Sequence, residues 1–164
     1  EVTRQAAVAD AAHAYTFVRR EGPFLAMADE TKLRRALWNL LDNARKFSPA
    51  GSEITVTVGR RMDGVFVSVR DRDIGISRWH QPLLFRRFSQ VDRGDARRSQ
   101  GLGIGLYLVK EIAELHGGKV ELESEPERGS VFTLVIPPGL EEGTGVHAGA
   151  SGLRVGSTEE KRKF

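Results

Sequence analysis

Cysteine is absent from the 164 residues of this sequence. Disulfides and thiolate metal sites are therefore excluded, and the absence fits a reducing compartment. No apolar run approaches the roughly 20 residues that a membrane-spanning helix requires, and no signal peptide is present. The net charge of +3, from 25 basic and 22 acidic residues, is too small to indicate nucleic-acid binding by itself.

The chain is long enough to form one domain with its own hydrophobic core. We predict that this domain spans residues 1–138 and that residues 139–164 form a disordered tail. The tail holds five glycines before Leu153, and its four basic and four acidic residues cancel. The sequence starts at Glu1 without a methionine, which indicates a fragment of a longer protein.

Apolar residues at helical spacing predict three helices. The first is expected over residues 2–20 and the second over 30–46, with Asp29 as its N-cap. The third follows a glycine-rich segment and ends at Gly117-Gly118. The apolar faces consist of Val8, Ala11, Ala12, Tyr15 and Val18 in the first helix, Leu33, Leu37, Leu40, Leu41 and Ala44 in the second, and Ile104, Leu108, Ile112 and Leu115 in the third.

Runs rich in β-branched and aromatic residues predict five strands. A short one is expected over 24–28, before the second helix. Residues 54–58 and 65–69 alternate apolar and polar side chains around an Asp-Gly turn, which predicts a hairpin with one buried face. The last two strands are expected over 119–123 and 131–136.

The second predicted helix also carries a polar stripe, roughly opposite its apolar face. Asn39, Asn43 and Lys46 fall together on it. These side chains could simply solvate an exposed face. Asparagine, however, is a mediocre helix former, so two of them one turn apart favour a functional role.

Glycines at 101, 103 and 105 precede the third helix. Such a segment allows positive φ and close backbone approach, and the helix start that follows is suited to phosphate. A dinucleotide fingerprint would need glycine at Leu106, and a P-loop would need lysine and then serine or threonine. A nucleotide loop of another kind remains possible, as does a flexible turn before a core helix.

Two further segments contain candidate ligand contacts. Asp71 stands at the end of a strand and is followed by a turn at Gly75. A short helix around 82–85 leads into an arginine-rich loop, which could close over an anionic ligand or be an ordinary solvated surface. The arginines of this loop are Arg86, Arg87, Arg93, Arg97 and Arg98, with Phe85 and Phe88 as its apolar anchors.

In this order the segments resemble the catalytic, ATP-binding domain of sensor histidine kinases, in the superfamily shared with gyrase, Hsp90 and MutL. The resemblance covers residues 2–138. It implies an α/β two-layer sandwich of the Bergerat type, a mixed sheet covered on one face by three helices. The matching segments are 39–47 (the N box), 71–76 (the first glycine box), 85–88 (the F box), 101–106 (the second glycine box), 115–118 and 129–132.

The resemblance implies ATP and Mg²⁺ as cofactors and assigns a role to each matching residue. Asn43 would ligate Mg²⁺ through its amide oxygen, Asn39 would lie beside the phosphates, and Lys46 would neutralise them. The other implied binding residues are Phe47 on the adenine face, Asp71 on the adenine amino group, Gly75 and Ile76 beside the base, the backbone amides of Gly101, Leu102, Gly103, Ile104, Gly105 and Leu106 around the triphosphate, and Ser130 near the adenine.

The sequence departs from the family pattern at Asp73, where the family has glycine. Asp73 has two possible orientations. In the first, it pairs with Arg72 or Arg78 and its side chain points outward. In the second, its side chain points into the site and its charge opposes that of the nucleotide. ATP-hydrolysing relatives have a catalytic glutamate where this chain has Asn39, so a general base for water is missing there. None of the four histidines (His13, His80, His116 and His147) matches the family's phosphoacceptor motif.

The implied function is transfer of the ATP γ-phosphoryl group to a histidine on upstream dimerisation helices, and then to a response-regulator aspartate. A degenerate nucleotide-binding or interaction domain, and an anti-sigma-factor serine kinase of the same superfamily, are the alternatives. The implied partners are the phosphoacceptor helices and the response regulator, without nucleic acid or membrane contact by this domain. The full-length protein is expected to be a homodimer with this domain in the cytoplasm; whether it is membrane-anchored stays open.

Overall fold

A computed structural model describes residues 1–20, 22, 26–88, 103–138 and 161–163 of the chain. Across these residues it contains three α-helices, six strands and one turn of 3₁₀ helix. In chain order they are α1 (Val2–Ala9), β1 (Ala14–Arg19), α2 (Glu30–Phe47), β2 (Glu53–Arg61), β3 (Gly64–Arg70), the 3₁₀ turn (Gln81–Leu83), α3 (Gly105–Leu115), β4 (Lys119–Glu125), β5 (Gly129–Ile136) and β6 (Lys161–Lys163).

The strands form one mixed sheet in the order β4-β5-β3-β2-β1-β6. Only the β1–β2 pair is parallel within the described strands. Apolar side chains from neighbouring strands line up on one face, as in the row Val56, Val69, Phe132 and Leu122, and they pack against the helices. The other face carries Thr57, Ser68 and Thr133 in register. The predicted sheet with helices on one face is therefore confirmed.

Helix α2 crosses the apolar face with its predicted core side inward. Ala36, Leu40, Leu41 and Ala44 are buried, while Leu33 and Leu37 pack at the margin of the core. The carboxylate of Asp29 accepts a hydrogen bond from the backbone N–H of Lys32 at 3.0 Å, as expected of the N-cap. The predicted helix is thus confirmed, and it ends one residue later than predicted, at Phe47.

Helix α3 stops where the glycine pair predicts, with Gly117 at φ +67°. Its buried residues are Val109, Ile112 and Ala113. Leu115, which was predicted to lie on the apolar face of this helix, is 71% exposed and is not part of the core. The following residue, His116, joins two helix ends: its Nδ1 lies 2.7 Å from the carbonyl oxygen of Ile112, and its Nε2 accepts a hydrogen bond from the Asp29 N–H at 2.9 Å.

The first predicted helix is wrong beyond its first half. α1 ends at Ala9, and the chain then forms β1, parallel to β2. Val8 is 82% exposed whereas Tyr15 is 1% exposed. The aromatic and β-branched residues Tyr15, Thr16, Phe17 and Val18 favour a strand, but the spacing of Tyr15 and Val18 from Val8 also fits a helical stripe. The partner strand that decides between these alternatives lies beyond α2.

The predicted strand over 24–28 is not formed at residues 26–28, and residues 24 and 25 lie outside the described part of the chain. The hairpin is confirmed and both of its strands are longer than predicted. The short helix expected around 82–85 is the 3₁₀ turn. In the tail, Lys161–Lys163 pair antiparallel with β1, which the sequence did not predict; residues 139–160 and 164 lie outside the described residues, so the tail boundary stays a prediction.

A buried polar cluster joins the α1–β1 turn to the end of α2. Asp10 Oδ2 accepts a hydrogen bond from the Tyr15 hydroxyl at 2.8 Å and lies 2.7 Å from His13 Nδ1. His13 Nε2 lies 3.3 Å from the carbonyl oxygen of Ser48, just after α2. Burial alone would raise the pKa of Asp10, but the hydrogen bonds from Tyr15 and His13 hold that pKa below its usual value.

Tyr15→Phe is expected to lower the free energy of unfolding by about 1–2 kcal/mol, because it removes a donor from a buried carboxylate. Since the pKa of Asp10 is lowered in the folded state, this contribution is fully present above the ordinary pKa of an aspartate and is lost as the pH falls through the lowered folded-state pKa. Urea unfolding at neutral and acid pH measures both effects. Tyr107→Phe is the control, because the Tyr107 hydroxyl has no hydrogen-bond partner among the described residues. Equal losses in the two variants would contradict the role of Asp10.

Candidate nucleotide site

Asn39, at one end of the polar stripe of α2, lies against the start of α3. Asn39 and Asn43 are half-buried on this stripe and Lys46 is exposed. The Asn39 side chain donates to the carbonyl oxygen of Arg35 at 2.8 Å. Its Oδ1 lies against Gly105, where an added Cβ would come within 3.1 Å of it. The absence of a side chain at Gly105 therefore lets α3 begin directly beside the stripe.

The other two members of the stripe, Asn43 and Lys46, differ in the contacts that their side chains make. The Asn43 side chain makes no hydrogen bond to any residue that the structure describes. Lys46 pairs with Asp42, which also binds Arg45 at 2.8 Å. Burial raises the pKa of Asp42, but the hydrogen bonds from Lys46 and Arg45 outweigh it and leave the pKa below its usual value. The stripe thus presents the carboxamide of Asn43 and the exposed ammonium of Lys46, and Asp42 holds the ammonium in place.

The first turn of α3 has no side-chain cap. Ile104 occupies the N-cap position without a side-chain hydrogen bond, and Gly103 takes φ +64°. Backbone N–H groups at the start of the helix are therefore left for another acceptor. Ile104 and Leu106 are partly buried. Gly101 and Leu102, the other predicted members of this segment, lie outside the described residues.

Two buried carboxyl groups lie side by side where β3 ends. Asp71 is 3% exposed and Asp73 is 7% exposed. Asp71 Oδ1 accepts from the Asp73 and Ser130 N–H groups at 3.2 and 3.0 Å. Asp73 Oδ1 accepts from the Gly75 N–H at 2.7 Å and from Ser130 Oγ at 3.0 Å. Arg72 and Arg78 are exposed. Of the two alternatives for Asp73, the structure has the inward one.

The environment of Asp71 favours its protonated form. Burial is the largest cause and the neighbouring charge of Asp73 the second, and together they raise the pKa of Asp71 to about 7. Backbone hydrogen bonds from Asp73 and Ser130 act in the opposite direction. Asp71 is therefore a titratable group in the neutral pH range.

Gly75 has a structural reason to be glycine. It adopts φ +69°, and a Cβ there would overlap the carbonyl oxygen of Glu125 in the β4–β5 hairpin. Its close approach in this structure is thus to protein backbone. The next residue, Ile76, is 3% exposed and belongs to the core cluster, and its N–H donates to Ser124 Oγ at 2.8 Å.

Ser124 and Gln81 support this loop, and sequence reasoning missed both. Ser124 Oγ donates to the Gly129 carbonyl at 3.0 Å and lies 3.0 Å from Ser130 Oγ. Gln81 Nε2 donates to the carbonyl oxygens of Ile76 and Ser124, both at 3.0 Å. Ser124 and Ser130 are register partners of the β4–β5 hairpin, so hairpin pairing could have revealed the serine pair; the sequence carries no comparable signal for Gln81.

The two aromatic residues predicted to anchor the arginine-rich segment, Phe85 and Phe88, have different environments. Phe85 packs on the core and meets Phe132 edge-on, with ring centroids 6.5 Å apart. Phe88 is 72% exposed with φ +58°, so its prediction as an anchor was wrong. Arg87 lies over the ring of Tyr107 at 4.6 Å, which brings this segment to α3. Arg93, Arg97 and Arg98 lie outside the described residues.

The described residues contain no group of three or more His, Cys, Asp or Glu side chains that could hold a metal ion. Nor is any helix in the described ranges long and apolar enough to cross a membrane.

The part of the chain that contains these segments is similar to known proteins. Residues 28–140 match the family described as histidine kinase-, DNA gyrase B- and HSP90-like ATPases. The sensor-like histidine kinase SenX3 of Mycolicibacterium smegmatis is 39% identical over 114 residues, which are 70% of this chain and 30% of SenX3. The circadian input-output histidine kinase CikA of Synechococcus elongatus is 42% identical over 110 residues, which are 67% of this chain and 15% of CikA.

Solved structures show the same architecture. The mycobacterial sensor histidine kinase MprB superposes with a TM-score of 0.72 at 25% identity, covering 84% of this chain and 89% of that one. Full-length ShkA, solved in complex with AMPPNP, gives a TM-score of 0.68 at 26% identity, covering 84% of this chain and 30% of ShkA. The chain thus spans less than a third of SenX3 and of ShkA, and most of the MprB structure.

Proposed function

Because the chain belongs to the family of histidine kinase-, DNA gyrase B- and HSP90-like ATPases, as an ATP-binding domain of the sensor histidine kinase type, we propose that Mg-ATP binds between the polar stripe of α2 and the start of α3. One observation carries this proposal. Gly105 brings the uncapped first turn of α3 against Asn39 on the polar stripe, and we infer that the backbone amides of that turn and the Asn43 carboxamide face the same nucleotide.

In this proposal Asn43 supplies the protein ligand to Mg²⁺. A carboxamide oxygen is a hard donor, and Mg²⁺ commonly takes one or two protein ligands and completes its shell with phosphate oxygens and water. Lys46 would neutralise phosphate charge, with Asn39 beside the phosphates.

The remaining proposed roles are contacts to the adenine base and to the triphosphate. Asp71 would accept a hydrogen bond from the adenine amino group, with Phe47 packed on the ring face. Ile76, being in the core, would form the floor of the base pocket, with Gly75 and Ser130 at its side. Backbone amides would cradle the triphosphate; the residues that provide them are Gly101, Leu102, Gly103, Ile104, Gly105 and Leu106.

In the full-length protein we propose that the γ-phosphoryl group passes from ATP to a histidine on dimerisation helices outside this chain, and from there to a response-regulator aspartate. The proposed full-length protein is a homodimer with this domain in the cytoplasm. Asn39 stands on α2 where hydrolysing relatives would have a general base, so the proposed site positions the phosphates without activating water. The same feature disfavours a serine-directed anti-sigma-factor kinase.

The chain alone, incubated with γ-labelled Mg-ATP, is expected to gain no stable label and to hydrolyse ATP no faster than buffer. Adding the dimerisation helices of the same full-length protein should produce acid-labile phosphohistidine on those helices. The control is the same helices with the acceptor histidine changed to alanine. Stable label on the chain alone would contradict the proposal, whereas nucleotide binding without transfer to the helices would favour the degenerate domain.

A further inference from the structure

Gln81, on the 3₁₀ turn, connects the loop that follows β3 to the β4–β5 hairpin. Its Nε2 donates to the carbonyl oxygens of Ile76 and Ser124, both at 3.0 Å. Because a carbonyl oxygen only accepts, both hydrogens of this amide nitrogen are used. The Ile76 N–H in turn donates to Ser124 Oγ at 2.8 Å. Gln81, Ile76 and Ser124 therefore form a closed ring of hydrogen bonds, in which both backbone polar groups of Ile76 are bound.

The loop over residues 74–76 lies along the same hairpin. The Ile74 carbonyl oxygen accepts a hydrogen bond from the Glu127 N–H at 2.8 Å. Gly75 comes so close to the hairpin that an added Cβ would overlap the carbonyl oxygen of Glu125. These contacts hold the loop against the hairpin, and the ring of hydrogen bonds fixes it to the segment that follows the loop.

The segment that carries Gln81 is itself attached to the core and to α3. Phe85, four residues further on, meets Phe132 of β5 edge-on, with ring centroids 6.5 Å apart. Arg87 lies over the ring of Tyr107, in the first turn of α3, at 4.6 Å. Gln81 therefore connects the loop after β3 to a segment whose other end is fixed beside the start of α3.

We propose that Gln81 is a positioning residue for recognition of the adenine base, because its amide fixes the loop on which the base would lie. This inference rests on the function proposed above, in which Ile76 forms the floor of the base pocket and Asp71 binds the amino group. Hydrogen bonds weaken steeply when their geometry is poor, so a shift of this loop reduces discrimination between bases. Phe85 and Tyr107 would still hold the segment at α3, so binding of the phosphates depends less on Gln81.

The test is the ratio of the dissociation constants of Mg-GTP and Mg-ATP, measured by calorimetry in one buffer. The triphosphate and the metal are common to both nucleotides, so their contributions cancel in this ratio, as does any loss of folded protein. Gln81→Met keeps the length of the side chain but has no donor. We expect it to lower the ratio by about tenfold, the effect of misplacing one hydrogen bond to the base.

Two further variants separate the donors of Gln81 from other effects of the substitution. In Gln81→Lys the ammonium can donate to both carbonyl oxygens, so the ratio should stay within about twofold of the natural value. Gln5→Met is the matched control, because Gln5 is exposed on α1 and its side chain bonds Glu1 there. The control should leave the ratio unchanged.

Circular dichroism checks that each protein is folded. An unchanged ratio in folded Gln81→Met would overturn this inference and leave the proposed function standing, and so would equal binding of both nucleotides by the natural chain. An equal fall in Gln81→Lys and Gln81→Met would also overturn it, because the donors would then not matter. If Gln81→Met does not fold, Ser124→Ala replaces it: this variant removes the acceptor of the Ile76 N–H, and an unchanged ratio would again overturn the inference. Failure of the folded natural chain to bind either nucleotide would overturn both proposals.

Discussion

Asn43→Ala is expected to weaken binding of Mg-ATP by about a hundredfold, or roughly 2.7 kcal/mol, because it removes the protein ligand of the metal. The fold should be unaffected. Asn43 is half-buried and makes no hydrogen bond within the described part of the chain. Alanine is also the better helix former, so α2 should gain slightly in stability.

The measurement is calorimetric titration with ATP in excess Mg²⁺ and again in a chelator. If Asn43 acts through the metal, the natural chain and the variant should bind metal-free ATP equally. Arg34→Ala is the matched control, because Arg34 lies on the opposite side of the same helix in an exposed pair with Glu30, which contributes little to stability. Equal Mg-ATP affinity in the natural chain and the folded Asn43 variant would rule out the metal role.

Gly75→Ala is expected to cost on the order of 3 kcal/mol in the free energy of unfolding, combining left-handed backbone strain with overlap against a fixed neighbour. The overlap is with the carbonyl oxygen of Glu125, which the β4–β5 hairpin holds in place. To relieve it, the loop must move and Gly75 must release Asp73. Nucleotide affinity should therefore fall together with stability.

Gly51→Ala separates these two causes. Gly51 also has positive φ, at +83°, but nothing lies within 4 Å of an added Cβ. Gly51→Ala should therefore lower the free energy of unfolding by only about 1 kcal/mol, the cost of the backbone strain. It should leave nucleotide binding unchanged. Urea unfolding and calorimetry measure both quantities in both variants. If the two variants lose the same stability, packing against Glu125 does not constrain Gly75.

The elements that sequence predicted well are those with strong local signals. α2 has a cap at Asp29 and a continuous apolar face, and the β2–β3 hairpin has an Asp-Gly turn between alternating runs. The segment from Val8 to Val18 had no such signal, because its apolar spacing fits a helix and a strand equally. Its conformation is decided by pairing of Tyr15 with Ile54, which is a contact far along the chain.

The candidate site shows the same division. The order of the motifs was enough for the family resemblance, which implies that Asn39 and the glycine segment before α3 lie beside the same phosphates. In the structure Asn39 lies against Gly105. The direction of Asp73 was not predictable, because it depends on a hydroxyl at Ser130, 57 positions away. Phe88 was expected to pack as Phe85 does, yet composition alone does not show which of two neighbouring aromatic residues meets Phe132.

The parallel pairing of β1 with β2 makes α2 a crossover helix, tied to a strand at each end. Histidines reinforce both attachments: His116 bonds the Asp29 N–H at its start, and His13 lies against the Ser48 carbonyl at its end. A helix held in this way cannot shift or rotate without disturbing the sheet. In the proposed nucleotide site, Asn43 and Lys46 would therefore lie on a helix that is fixed to the sheet at both of its ends.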